Sequence, residues 1–303
     1  MRVSEPLWKT EYDFQTRQID VDGHRMHLVD HGDGSPVVFV HGNPTWSFYY
    51  RRLIRMLPDG LRAIAPDHIG CGLSDKPQGY EYTLDSHIEN LCALIDSLQL
   101  KDMSFVAHDW GGAIAMGCAA KMADRVRSIT LLNTAAFPPP YFPLRIRACR
   151  LPILGAFAMR GLNLFSRAAL SMAMSRSKLN KVARAGLIAP YDSWHNRVAV
   201  NAFVRDIPAN DRHPTWKRLS EIESSLPDFC ETPVQLVWGM KDWCFNEVCL
   251  QRFMDVWPHA RVLKLNDVGH YVCEDALEDD LSAVIEFLAW HVAHANAPEA
   301  ADD

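Results

Sequence analysis

Short apolar runs alternate with longer helix-like segments over most of this chain, and no other feature of the sequence restricts the fold as strongly. The apolar runs predict strands covered on both faces, at residues 37–40, 63–65, 105–107, 129–132, 234–237 and 262–265. Helical patterns follow several of them, at residues 47–56, 84–98, 112–122, 247–256 and 277–291. This alternation is typical of an α/β fold with a mostly parallel sheet and helices on both faces.

Two segments depart from the alternation. Near the start, runs at residues 18–21 and 25–29 flank Asp22-Gly23, a pair that favours a tight hairpin turn. After residue 133, about a hundred residues of helix-like sequence with frequent prolines intervene, which is too long for a compact loop. We therefore predict one core domain, residues 1–133 and 233–303, with an inserted helical cap of residues 134–232.

Composition excludes several classes of protein. The net charge of −6 argues against nucleic-acid binding, and 48% hydrophobic with 22% charged residues is ordinary for a globular enzyme. The first thirteen residues have no apolar segment typical of a secretory signal, and no apolar stretch is long enough to span a bilayer. The eight cysteines have no CxxC spacing, which favours reduced thiols over disulfides or zinc. We expect a cytoplasmic protein without a metal or organic cofactor, and a frayed terminus at 295–303.

The predicted strand at 105–107 leads through His108, Asp109 and Trp110 into two glycines and a helix. This order matches a nucleophile elbow, in which small flanking residues such as Ala107 and Gly111 permit a tight turn. A helix N-terminus beside position 109 favours an anion, and a carboxylate can attack carbon without first losing a proton. Asp109 is therefore a candidate nucleophile; the alternative is an Asp that only caps the helix.

A second loop supplies candidate hydrogen-bond donors. Asn43 follows the predicted strand at 37–40, in the loop that provides an oxyanion N–H in folds with such an elbow. Asn43 and Trp110 each offer a backbone N–H and a side-chain N–H, enough to hold an oxyanion and a departing anion. The alternative is an Asn-Pro turn and a tryptophan that only packs.

An acid and a histidine follow the last two predicted strands. Asp242 comes just after the strand at 234–237, and His270 just after the strand at 262–265. The order nucleophile, acid, histidine predicts that His270 is a general base oriented by Asp242. Asp267 is a rival acid, but it precedes His270 by only three residues and is expected to cap or turn that loop. Asn133 stands at the other place where such a fold keeps its acid, and it cannot carry charge.

At these residues the chain resembles the haloalkane dehalogenase family of α/β hydrolases. The shared motifs are HGNPTW at 41–46, DHIGCGLS at 67–74, HDWGG at 108–112 and GH at 269–270. The resemblance implies that Asp109 attacks carbon, that water activated by His270 hydrolyses the ester, and that Asn43 and Trp110 hold the leaving halide. The combination of Asp242 with Asn133 resembles the subfamily that keeps its acid after the later strand.

Three further motifs resemble the β-lactone decarboxylase family of long-chain olefin biosynthesis (OleB): NTAAF at 133–137, PYDSW at 190–194 and RDIP at 205–208. This resemblance implies a lyase that converts long-chain cis-3-alkyl-4-alkyl-β-lactones to cis-alkenes and CO₂, and assembly with other enzymes of olefin biosynthesis. Asp109 would attack either the ring carbon that bears oxygen or the lactone carbonyl. The catalytic residues alone do not distinguish this chemistry from dehalogenation, so both remain open, with the lyase favoured.

The predicted cap has a composition of its own. Residues 138–190 contain no Asp or Glu but nine cations: Arg145, Arg147, Arg150, Arg160, Arg167, Arg176, Lys178, Lys181 and Arg184. Its apolar side chains are expected to line a pocket for long alkyl chains or to pack the cap onto the core: Leu154, Phe157, Met159, Leu162, Leu164, Phe165, Leu170, Met172 and Met174. The cationic surface favours a membrane or an acidic partner over solvated arginines, and a homo-oligomer is a further expectation.

Overall fold

The computed structural model describes residues 5–141, 144–151 and 153–294. Eight strands form one sheet in the order β1-β2-β4-β3-β5-β6-β7-β8. Their bounds are β1 Thr16–Val21, β2 His24–His31, β3 Gly34–Val40, β4 Gly60–Pro66, β5 Met103–Asp109, β6 Val126–Thr134, β7 Val234–Gly239 and β8 Arg261–Leu265. The mostly parallel α/β fold predicted from the sequence is confirmed.

Only the strands from β3 onwards pair in parallel. β1 and β2 form the predicted hairpin, with Asp22 and Gly23 both at positive φ, and β2 pairs antiparallel with β4. All later pairs are parallel. The carboxyl ends of β3, β5, β6, β7 and β8 therefore lie at one edge of the sheet, where such folds place their sites.

Helices cover both faces of this sheet. They are α1 Arg51–Met56, α2 Leu84–Ser97, α3 Trp110–Ala119, α4 Leu144–Cys149, α5 Leu154–Ala156, α6 Leu164–Met172, α7 Lys181–Ile188, α8 Val198–Asp206, α9 Pro214–Ser225, α10 Glu247–Val256, α11 Val272–Asp275 and α12 Glu278–Ala293. A π-helical turn, Phe157–Gly161, continues α5. Within the described residues, none of these helices combines the length and the apolarity that crossing a bilayer requires.

The core consists of two apolar clusters, one on each face of the sheet. Along β3, Val38 and Val40 belong to one cluster and Val37 and Phe39 to the other, because successive side chains of a strand point to opposite faces. The first cluster includes residues of α2, α3 and α10, and the second includes residues of α1 and α12. This explains why the central strands are apolar at every position.

One strand departs from the prediction. Coverage on both faces was expected for residues 262–265, but β8 is largely exposed or half-buried and only Leu265 is buried. β8 is the edge strand next to β7, so one side of it has no neighbouring strand among the described residues. The apolar run therefore predicted a strand correctly and its burial wrongly.

The segment between β6 and β7 holds α4 to α9 and contains no strand within its described residues. These elements fall inside the predicted cap, residues 134–232, and the strands fall inside the predicted core except for Thr134, the last residue of β6. The division into two units stays a prediction. The tail at 295–303, predicted to be frayed, lies outside the described residues.

Candidate active site

The turn from β5 into α3 presents Asp109 at the carboxyl edge of the sheet. Asp109 ends β5 with a φ of 55°, and α3 begins at the next residue. The following turn has no room for side chains, since a Cβ at Gly111 would overlap the carbonyl oxygen of Val40. A Cβ at Gly112 would overlap the Thr134 side chain, whose hydroxyl donates to the Asp109 carbonyl. These contacts form the sharp elbow that the spacing of small residues predicted.

The loop after β3 brings two backbone donors to the Asp109 carboxylate. The N–H of Asn43 lies 2.6 Å from Oδ1, and the N–H of Trp110 also bonds to the carboxylate. A Cβ at Gly42 would overlap that carboxylate, so glycine permits the close approach of the loop. Two converging N–H groups form an oxyanion-binding arrangement at this carboxyl group.

His270 lies between two carboxylates. Its Nδ1 is 2.7 Å from Oδ2 of Asp242, and its Nε2 is 3.6 Å from Oδ2 of Asp109. Because the Asp242 carboxylate only accepts, Nδ1–H donates to it and Nε2 faces the nucleophile side. The three residues predicted from chain order are therefore brought together at one point.

Asp242 is held from two sides by neighbouring groups. Its Oδ1 accepts the N–H of Cys244 at 2.6 Å, and its Oδ2 accepts the side-chain amide of Asn133 at 3.1 Å. Asn133 also accepts the N–H of Gly239 at 2.6 Å. The sequence excluded Asn133 as an acid but did not identify it as a donor to the acid. The available signal was an amide at the end of β6, beside the end of β7.

Asp267 is engaged elsewhere. Its side chain is 57% exposed, and both oxygens lie 2.7 Å from the guanidinium of Arg176 in the segment between β6 and β7. Asp267 lies in the turn that follows β8, as expected, and its side chain also forms this ion pair. Among the described acids, Asp242 is the one that accepts a hydrogen bond from the His270 ring, at Nδ1.

Burial and charge act in opposite directions on the two reacting groups. Burial raises the pKa of Asp109 above its usual range, and His270 with the N–H groups of Trp110 and Asn43 offsets only part of this effect. Burial alone would lower the pKa of His270, but the charges of Asp242 and Asp109 and the Asp242 hydrogen bond outweigh it and raise that pKa. The site therefore favours a proton on His270 more than water does.

The predicted side-chain donors also lie at the site. The Asn43 amide donates to the carbonyl of Val200 at 3.1 Å, and the residue lines the cavity in front of Asp109. The Trp110 ring packs beside Phe203, and its indole N–H has no acceptor within the described part of the chain. The indole N–H is thus the donor most directly available to an anion leaving Asp109.

A cavity of about 760 Å³ opens in front of Asp109. This volume lies within the roughly 300–1,000 Å³ typical of small-molecule sites. Apart from the catalytic candidates its lining is mainly apolar, and it includes Ala135, Phe137, Ile146, Met159, Leu164, Phe165, Ala169, Met172, Val204, Leu219 and Phe245. Such a lining accepts hydrocarbon chains rather than charged or sugar-like groups.

The cap side chains expected to line the pocket divide into three groups. Met159, Leu164, Phe165 and Met172 do line the cavity. Leu170 and Met174 instead pack into or against the second apolar cluster. The expectation is wrong for the exposed residues Leu154, Phe157 and Leu162, which lie on the surface.

Comparison with known proteins places this geometry among related enzymes. The α/β hydrolase fold family matches residues 35–277. A cis-3-alkyl-4-alkyloxetan-2-one decarboxylase of Shewanella oneidensis is 41% identical over 281 residues, which cover 91% of this chain and 88% of the relative. Haloalkane dehalogenase 2 of Mycobacterium tuberculosis is 32% identical over 281 residues, 91% of this chain and 95% of the relative. The crystal structure of haloalkane dehalogenase DbeA from Bradyrhizobium elkani matches with a TM-score of 0.84 and 26% identity, covering 92% of this chain and 99% of that one.

Proposed function

Because this chain belongs to the α/β hydrolase fold family, we propose that it is a β-lactone decarboxylase in which Asp109 is the nucleophile. The enzyme is a carbon–carbon lyase that converts long-chain cis-3-alkyl-4-alkyloxetan-2-ones to cis-alkenes and CO₂. Identity to the decarboxylase exceeds identity to the dehalogenase by nine percentage points over alignments of equal length, 41% against 32%. This difference favours the lyase over the hydrolase.

One observation carries the proposal: a carboxylate, rather than a serine hydroxyl, occupies the elbow at a cavity with a mainly apolar lining. The Asp109 carboxylate is already the attacking form and needs no base to take a proton from it. The apolar lining suits a substrate that carries two alkyl chains, because burying methylene groups favours binding.

The favoured reaction begins at the ring carbon that bears oxygen. The Asp109 carboxylate forms a bond to this carbon while the ring C–O bond breaks, which leaves an alkyl ester and a free carboxylate on the neighbouring carbon. The bond to that carboxylate then breaks to release CO₂, and its electron pair forms the double bond as Asp109 departs. Inversion followed by anti elimination keeps both alkyl chains on one side, so a cis-lactone gives a cis-alkene.

Asn43 and Trp110 support this route as anion holders. Both residues line the cavity, and the indole N–H of Trp110 with the second amide hydrogen of Asn43, the first being donated to Val200, would hold the carboxylate freed by ring opening. A His270 that retains its proton beside Asp109 would favour departure of Asp109 as an anion. The competing route, attack at the lactone carbonyl to give a mixed anhydride, uses the same residues.

Haloalkane dehalogenation is the second candidate, and the Asp109–His270–Asp242 geometry favours it. In that reaction water attacks the Asp109 ester, His270 Nε2 takes the proton, and the N–H groups of Asn43 and Trp110 hold the oxyanion. Neutral His270 is essential to this step, whereas the ring-opening route consumes no water.

The remaining sequence-based expectations stay predictions. They are the division into core and cap, the cytoplasmic location, assembly with other enzymes of olefin biosynthesis, peripheral membrane association and formation of a homo-oligomer. The apolar cavity supports a small-molecule substrate with long alkyl chains.

A direct substrate comparison tests the proposed function. The purified enzyme is given a long-chain cis-3,4-dialkyl β-lactone and, separately, a bromoalkane of similar length, and the products are identified by gas chromatography and bromide release. We expect cis-alkene with an equal amount of CO₂ from the lactone, and slow bromide release at most. Rapid bromide and alcohol production with the lactone untouched would replace the lyase with the dehalogenase.

A further inference from the structure

The outer surface between β6 and α6 exposes large apolar side chains within a short stretch of chain. We define the apolar strip as Leu144, Leu151, Ile153, Leu154, Phe157 and Leu162, whose exposed fractions run from 51% to 84%. Single exposed apolar residues are common on proteins, but a cluster of this size marks an interaction surface. The strip lies on α4, α5 and the π-helical turn, with the connecting residues.

The same short elements form part of the cavity wall. Ile146 of α4 and Met159 of the π-helical turn point inwards and line the cavity, while Leu144 and Phe157 of these elements are exposed. α4 packs against α5, and α5 packs against the π-helical turn. The apolar strip is therefore the outer side of a thin wall whose inner side faces the substrate cavity.

The charged residues in the strip's own stretch of chain have one sign. Arg147 and Arg167 are exposed, and neither forms an ion pair within the described residues. Arg145 is also exposed, but it packs over the Trp243 ring and lines the cavity. Residues 138–190 contain no acidic residue, so no carboxylate of this segment neutralises them. Arg176, by contrast, is paired with Asp267 and Asp280.

We propose that the apolar strip and its flanking arginines dock the enzyme on an anionic phospholipid bilayer. At its surface a bilayer offers phosphate groups to the arginines and, just beneath them, acyl chains to the exposed apolar side chains of the strip. This complementarity favours a bilayer over an acidic protein, because an acidic protein would also need an apolar face that matches the strip, whereas any anionic bilayer offers both. The proposal also rests on the proposed function, since a substrate with two long alkyl chains partitions into membranes.

Vesicle flotation tests the docking. The full chain is mixed with vesicles of phosphatidylcholine alone or with phosphatidylglycerol added, at low and at high salt, and the bound fraction is measured. We expect binding to the anionic vesicles at low salt and its loss at high salt, because salt screens the arginine contacts. Absence of binding to anionic vesicles at low salt, or equal binding to neutral vesicles, would overturn the proposal.

Two pairs of substitutions locate the surface. Leu154→Ser with Phe157→Ser removes apolar area from the strip at residues that do not line the cavity. The control, Val248→Ser with Leu277→Ser, removes comparably exposed apolar side chains from another part of the surface, in α10 and just before α12. The first pair should weaken vesicle binding at least about tenfold, and the control pair should not change it. Equal loss in both pairs would contradict the assigned surface.

Turnover of a short-chain, water-soluble β-lactone separates this proposal from the proposed function. The Leu154→Ser/Phe157→Ser enzyme should turn over this lactone as the unsubstituted enzyme does, while it loses vesicle binding. Vesicle binding by an enzyme that forms no alkene would overturn the proposed function and leave the docking intact. A dimer that the strip substitutions dissociate, without vesicle binding, would make this surface an interface between two copies and overturn the lipid assignment.

Discussion

Asp109 occupies a costly backbone and side-chain environment. Its φ of 55° is uncommon for a residue with a Cβ, and such strained positions cost about 1–3 kcal/mol of folding free energy. Its carboxylate is also buried, which raises its pKa and disfavours the ionised form. The two backbone N–H groups that reach the carboxylate offset part of this cost, so they restore some of the stabilisation that the ionised nucleophile loses when it leaves water.

Replacing the nucleophile by its amide is the first prediction. Asp109→Asn should reduce alkene formation by at least about three orders of magnitude, because an amide is a far poorer nucleophile. The melting temperature should be unchanged or higher, since Asn tolerates positive φ and buries no charge. Both quantities are measured on fresh protein with deamidation excluded by mass spectrometry. Initial rates like those of the unsubstituted enzyme would remove Asp109 from its assigned role.

The two acids near His270 give a matched pair of substitutions. Asp242→Asn should slow any water-dependent step by orders of magnitude, because His270 loses the acceptor that fixes its Nδ1–H. Asp267→Asn should leave that step within a few-fold, because its exposed carboxylate pairs with Arg176. Rates are compared with a bromoalkane that the enzyme hydrolyses slowly. The opposite ranking would make Asp267 the acid.

The pKa shifts predict different pH profiles for the two chemistries. Alkene formation needs ionised Asp109, so its rate should fall as pH falls through a pKa that lies above the ordinary range of Asp. Ester hydrolysis also needs neutral His270, so its rate should rise with pH through a pKa above the ordinary value of His. The check is kcat for alkene formation from the lactone and for alcohol formation from the bromoalkane across pH, because ester hydrolysis follows the alkylation step and affects kcat. A rise of alkene formation through the same upper pKa would show that the lyase also needs neutral His270.

At this scale the sequence predicted the reacting residues better than the groups that hold them. Asp109, Asp242 and His270 each follow a strand in a fixed order, and the ends of neighbouring parallel strands meet at one edge of a sheet. The hydrogen bond from Asn133 to Asp242 joins residues 109 positions apart in the sequence, and no local sequence pattern predicts it. The same holds for the ion pair of Asp267 with Arg176.

At the scale of elements, the ends of β6 and β7 act together. Asn133 accepts the Gly239 N–H and donates to Asp242, so it fixes the end of β7 relative to β6. Asn133→Ala should leave a buried N–H without its acceptor and lower stability by about 1–3 kcal/mol. It should also lower kcat more than it raises KM and shift the pH profile, because Asp242 loses a donor. Thermal unfolding and steady-state kinetics are the measurements, and a stability loss with unchanged kinetics would limit Asn133 to a structural role.

The helices and strands were predicted best where they are buried and long, and worst at the sheet edge and in the short helices between β6 and β7. The six predicted parallel strands are confirmed because buried strands read as continuous apolar runs, and α10 agrees residue for residue with the predicted helix at 247–256. The prediction that β8 is buried was wrong, because a run of apolar residues does not show whether its strand lies at the edge of the sheet. In the cap, apolar residues of one short segment divide between cavity and surface, and helices of only a few residues have no period that would separate them.

At the scale of the whole molecule, the segment between β6 and β7 both closes the cavity and braces the histidine loop. The buried carboxylate of Asp275 accepts the N–H groups of Ser175, Arg176 and Ser177 from that segment and of Gly269 beside His270. The Tyr271 N–H donates to the Ala173 carbonyl. The residues that enclose the substrate are thus tied to those that hold the base.

Membership of the dehalogenase-like α/β hydrolases, inferred from short motifs, is confirmed by the comparisons. The fold and the family follow from these motifs because they occupy sterically restricted turns, such as the elbow at Asp109. The choice between lyase and hydrolase does not follow from the same residues, since both reactions begin with a carboxylate and an anion-holding pair. That choice depends on whether water attacks the ester of Asp109.

Tracing solvent oxygen into Asp109 tests this point most directly. The enzyme turns over a long-chain cis-β-lactone many times in ¹⁸O water, and the peptide that contains Asp109 is analysed by mass spectrometry beside a sample incubated without substrate. A lyase that works through ring-carbon attack releases Asp109 intact, so we expect an alkene, CO₂ and no label above the control. Partial label with alkene would indicate the mixed-anhydride route. An Asp109 carboxylate that gains ¹⁸O with each turnover while alcohol accumulates would contradict the lyase assignment.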